Sequence, residues 1–159
     1  MVHSRGSHRS FLSYIDRSRD YYAALGYERP YRWAHHRTVP FAPFMMPITE
    51  ARVGVVTTAA RTLDDRDGPF AEPTDPAPVS METSHLSWHK TATHTDDLGT
   101  FLPIDHLVGL ATSGHLGSVS ARYYGLPTNY SHRRTRDWSS QIVEWATEDG
   151  VDLMLLVPL

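Results

Sequence analysis

The chain has 159 residues, 15 Lys+Arg against 18 Asp+Glu, ten histidines and no cysteine. That length suits one domain whose core holds without disulfides, and the missing cysteine excludes a thiolate zinc site, an iron–sulfur cluster and a thiol nucleophile from this chain. The net charge of −3 argues against nucleic-acid binding, and no apolar run approaches the ~18 residues of a membrane span, so a cytoplasmic protein with neither partner is expected.

Residues 1–9 are polar and basic and read as a disordered tail without the apolar segment of a secretory signal. Ser10 can cap a helix running to about Leu25, with Phe11, Ile15 and Tyr22 along one face and Gly26 as its stop. The prolines at 30, 40, 43 and 47 then forbid regular helix or central strand, so residues 10–50 form a helix and an extended arm. Residues 51–159 read as an α/β domain. Its first strand is Arg52 to Thr58, short, β-branched and apolar enough for burial on both faces of a parallel sheet. Residues 62–80 are a long connection with four prolines and several acidic residues, the composition of a functional or mobile loop.

Pro103 opens a second helix with Ile104, Leu107, Val108 and Leu110 as its apolar face and Gly114 as its end. Leu116 to Ser120 is a short strand or turn. Asp137 or Ser139 can cap a third helix through Glu148, with Trp138, Ile142 and Trp145 inward and Gly150 closing it. Val151 to Val157 is the second strong buried strand, and part of its cover is expected from another chain. Strand, excursion, helix and strand together predict an α/β fold: a small parallel-sheet, Rossmann-like domain carrying the N-terminal helix and arm.

An ordered set of segments resembles a known family. Val39-Pro40-Phe41-Ala42-Pro43 and Glu50 to Thr58 are similar to the opening of the substrate-specific component B (selenoprotein B) family of glycine, sarcosine and betaine reductases, to which a D-proline reductase subunit is related. Leu102 to Leu107, Gly114 to Val119 and Gly150 to Pro158 follow in the family's order, and Ser13 to Arg17 with Tyr31 to His35 resembles shorter relatives. The resemblance implies an oxidoreductase acting on a small nitrogen-containing metabolite. In that family a redox-active selenocysteine or cysteine follows the strand matching Val151 to Pro158, and this sequence has no cysteine. The resemblance therefore implies a short form, a substrate-side subunit completed by a partner subunit that brings the missing half and its thiol or selenol.

The densest polar cluster runs from Glu82 to Asp97. His85 and His89 share a face in either a helix or a strand, and His94 needs only a turn to join them. With Asp96 or Asp97 they form a candidate site for a divalent zinc, iron or manganese ion, although the spacing matches no established metal signature. His89 and Asp97 are the candidate catalytic pair. The plain alternative is a set of solvated or structural histidines. Thr57 and Thr58 follow the first strand at its C-terminal end, where open α/β sheets place their ligands, and are candidate substrate contacts with Tyr124 and Asn129. No glycine-rich phosphate loop or serine-hydrolase elbow is present, so neither a nucleotide nor a serine nucleophile is expected. Three readings remain open: the reductase subunit, a self-contained His-ligated metal enzyme, and a non-catalytic small-molecule-binding protein. A homo-oligomer or a hetero-complex is expected in the first.

Overall fold

The computed structural model of the chain describes residues 13–29, 37–39, 42–86, 94–129 and 131–159. Two compact units divide it, Met1–Phe41 and Ala42–Leu159. In the first, α1 spans Tyr14–Ala24. Its cap is Ser13, whose Oγ accepts the Asp16 N–H at 3.2 Å, while Ser10, Phe11 and Leu12 lie outside the described residues. Gly26 ends the helix at φ +84°. Ile15, Tyr21, Tyr22 and Leu25 are all exposed, and Tyr22 meets Tyr21 and Tyr27 edge to face. Of the proline-rich arm, Pro30 to His36, Pro40 and Phe41 lie outside the described residues, and Ala42 to Pro47 form no helix or strand.

The second unit is a mixed α/β fold around a mostly parallel five-stranded sheet. β1 (Arg52–Thr57) is central. It pairs in parallel with β5 (Leu153–Val157) over its length on one side, and on the other with β3 (Ser118–Val119) and then β4 (Arg122–Gly125). β2 (Phe70–Pro73) runs antiparallel to β4 at the far edge. This is a departure from the expected connection over 62–80, because Phe70, Ala71 and Glu72 find hydrogen-bond partners on β4. The strand is short and ends in proline, which suits an edge.

The alternation of β1 builds two cores. Val55 faces Phe70, Phe101, Leu102, Ile104 and Tyr123, while Val56 faces Tyr124, Ile142 and Ala146. The first cluster draws on α2 (Ile104–Thr112), the second on α3 (His132–Glu148). Of the face expected for α2, Ile104 is buried, but Val108 and Leu110 are half exposed. α3 begins at His132, earlier than its apolar pattern suggests, because the Ser131 hydroxyl caps Arg134 N–H. Gly114 and Gly150 close α2 and α3 with φ of +75° and +64°, as expected for helix stops. β5 departs from the buried strand expected of it: Leu153, Leu155 and Leu156 are 39%, 39% and 68% exposed. Among the described residues no strand pairs with its outer edge.

At the N-terminal pole of the sheet, Asp149 at the end of α3 gathers three partners. Arg122 grips its carboxylate through Nε and Nη2 at 2.9 Å, the Tyr124 hydroxyl donates to it at 2.5 Å, and Arg52 donates to its carbonyl at 2.6 Å. That network fixes α3 to β1 and β4 and leaves the opposite pole to the loops. Among the described residues no helix is long and apolar enough to cross a membrane.

Candidate functional site

A cleft of about 460 Å³ opens where the segments leaving β1 and β4 meet the stretch around His85; Leu63, Asp64, Arg66, Asp67, His85, Thr128 and Asn129 line it. This is the C-terminal end of the parallel strands, the edge at which open α/β sheets present loops to ligands. Each wall is built locally. The segment after β1 is drawn in by Arg61, which pairs with Asp65 at 2.5 Å and with Glu72 of β2; Arg66 Nε donates to Leu63 O at 2.6 Å. The segment after β4 is tied by Leu126 N–H to Thr57 O at 2.9 Å. Asn129 Oδ1 then accepts Ser131 N–H at 2.8 Å, a side-chain turn that leads into the N-terminus of α3. The third wall arrives through an antiparallel bridge between Ala60 and Glu82, followed by a turn closed by Leu86 N–H to Thr83 O at 2.9 Å. That turn carries His85.

His85 is half-buried, and both of its ring nitrogens are shielded from solvent with no hydrogen-bond partner among the described residues. Burial lowers its pKa and the Arg66 guanidinium adds to the shift, against the smaller opposing pull of Glu82. The imidazole is therefore kept neutral, one ring nitrogen a donor and the other an acceptor. An unsatisfied buried polar group of this kind costs about 1–3 kcal/mol. Glu82 is itself held in its charged form by hydrogen bonds from Ser84, whose N–H reaches Oε1 at 2.6 Å.

The other residues singled out in the sequence take different places. His94 is exposed, its Nδ1 accepting Asp96 N–H at 3.3 Å, and it does not line the cleft. His89 lies outside the described residues. Among the described residues no group of three or more His, Asp or Glu side chains is arranged to hold a metal ion. Asp97 caps a short 3-10 turn over Leu98–Thr100, accepting Gly99 N–H at 2.9 Å. Thr57 is fully buried with its hydroxyl accepting Ala59 N–H at 3.3 Å, and Thr58 Oγ1 accepts Leu159 N–H at 2.8 Å. Both hydroxyls are thus used on backbone. Tyr124 is buried against Asp149 at the opposite pole, its phenol pushed up to about 12 by burial and by the hydrogen bond to that carboxylate. Of the sequence candidates, the cleft brings together His85 and Asn129. It adds Asp64, Arg66 and Asp67 of the long connection over 62–80, and Thr128, none of them a site candidate from the sequence.

The chain matches no family profile, no curated protein and no solved structure.

Proposed function

We propose that this chain is the substrate-side subunit of an oxidoreductase resembling the component-B reductases, with a Rossmann-like α/β domain that binds a small nitrogen-containing metabolite in the cleft. The observation that carries the reading is the neutral His85 imidazole, unpartnered among the described residues, in the wall of a polar cleft at the C-terminal strand edge. A ligand that hydrogen-bonds it recovers the desolvation cost that the free protein bears. Asp64 and Asp67 on the same wall offer carboxylates to a protonated or quaternary nitrogen. Arg66 and the Asn129 amide, whose oxygen is already committed to Ser131 N–H, offer donors to a carboxylate.

In this reading the chain binds and orients, and the thiol or selenol that attacks the substrate belongs to a partner subunit, since the sequence holds no cysteine. The half-exposed apolar strand β5 offers that partner an edge with two apolar faces. The test is calorimetric titration of the purified chain with glycine, sarcosine, betaine and D-proline. Saturable binding of at least one, lost in His85→Ala with the fold intact, supports the reading; binding by none of the four, or binding indifferent to His85→Ala, contradicts it.

A further inference from the structure

A second recess lies on the Phe101 side of the sheet and shares no lining residue with the His85 cleft. It is a groove of about 420 Å³ whose walls include Pro73, Pro76, Pro78 and Met81, with Tyr123 and the Arg61–Glu72 pair also lining it. Tyr123 is 3% exposed, its ring held edge-on against Phe70 at 6.2 Å between centroids. Tyr123 is one of the groove's lining residues, and its phenol oxygen has no hydrogen-bond partner among the described residues.

We propose that this groove is a second binding site, for a small neutral molecule in which an amide adjoins an apolar group. The polar groups set the ligand's chemistry. Arg61 is already satisfied by Asp65 and Glu72 and stacks on Phe70 at 5.0 Å, so the groove has no spare cation for an anionic ligand. Glu72 meets Arg61 through Oε1, which leaves its second carboxylate oxygen as an acceptor. Burial, with the Glu72 charge adding to it, raises the Tyr123 phenol above its ordinary value, so it remains an O–H donor at neutral pH.

One donor beside one acceptor matches the C=O and N–H of an amide. The proline rings flanking them are rigid and carry no N–H donors, so the rest of the surface rewards apolar contact. A groove of this size is within the range of small-molecule sites. The site is independent of the His85 cleft in lining and in chemistry.

Benzamide is the probe, titrated into the full chain while the Met81 methyl resonance is followed by NMR, with benzoate and ethylbenzene as controls. Expected is a saturable shift with benzamide, weaker with either control. Tyr123→Phe should weaken it about three- to tenfold, the effect of one net hydrogen bond, and His85→Ala should leave it unchanged. Glu72→Gln, on the partly exposed edge strand, is the second variant and should weaken binding in the same direction. The proposal is overturned if the Met81 methyl does not move up to the solubility limit of benzamide. It is equally overturned if ethylbenzene binds as well as benzamide, or if neither substitution changes the affinity.

Discussion

Phe70 and Gly125 face each other in the antiparallel β2–β4 pair, and the Phe70 ring occupies the space that a side chain at 125 would need. The bare Cα lets the ring lie flat on β4, where it also meets Tyr123 and takes the Arg61 guanidinium on its face. Gly125→Ala should therefore destabilise the protein by about 1–3 kcal/mol through overpacking, read as a lower urea midpoint. Phe70→Leu in the same chain should return part of that loss. A neutral Gly125→Ala would mean that the ring is free to move aside.

The Asp149 network should behave as a stability element of the N-terminal pole. Asp149→Asn removes the charge and one of the two carboxylate oxygens that Arg122 and the Tyr124 hydroxyl share, setting an amide NH2 against a donor, and should cost about 2–3 kcal/mol. Arg122 holds the Asp149 carboxyl below its ordinary value, against the opposing effect of burial. A carboxyl depressed in the folded state contributes stability above its unfolded pKa, which is lost as the pH falls through the folded value. Thermal melts should show wild type losing stability below about pH 4, with a shallower loss in Asp149→Asn. Equal slopes would contradict the assignment.

His85 titrates with the same sign in a higher pH window. Its folded pKa is lowered by burial first and by Arg66 second, so below the ordinary histidine value of about 6.5 the unfolded chain takes up the proton more readily. Stability should decline as the pH drops through that value. Urea midpoints at about pH 7.5 and 5.5 should differ more in wild type than in His85→Gln, whose amide has no charge to desolvate. A variant with the same pH response as wild type would show that the imidazole is solvated.

The open faces of β5 lead to a prediction about assembly. Leu156, at 68% exposure, shares the α3 side of the sheet with Met154, while Leu153 and Leu155 lie half open on the other side. The chain alone should self-associate or recruit its partner through this edge, and Leu156→Lys should weaken the association. Analytical ultracentrifugation at tens of micromolar is the check. An 18.0 kDa monomer at every concentration would contradict it.

Much of the frame was legible because it rests on strong local rules. The β-branched run of β1 and the three glycines ending the helices read directly from the chain, since only a few backbone conformations suit those residues. β2 and β4 were not legible as strands. Phe70-Ala71-Glu72-Pro73 has no alternation of its own, and it becomes a strand by pairing with Tyr123 and Tyr124. The start of α3 was missed because His132 to Arg136 is polar on every face and its signal is a hydroxyl cap at Ser131. At the site, the excess of histidine drew attention to His85, while the residues that join it come from loops far apart in sequence. Arg66 and Asn129 meet His85 only once β1 and β4 lie side by side. Tyr124 illustrates the reverse: its neighbours in sequence suggest a binding loop, but strand alternation turns it inward to Asp149.

The claim that the cleft at the C-terminal strand edge is the ligand site is tested most directly by NMR mapping of the binding surface. Each of glycine, sarcosine, betaine and D-proline is titrated into the isotopically labelled chain while backbone amides and the His85 ring are followed. The account predicts that one ligand shifts the amides of residues 64–67 and 128–131 together with the His85 imidazole, along a single saturation curve. Shifts confined to other surfaces, with those three groups silent for all four ligands, would contradict it.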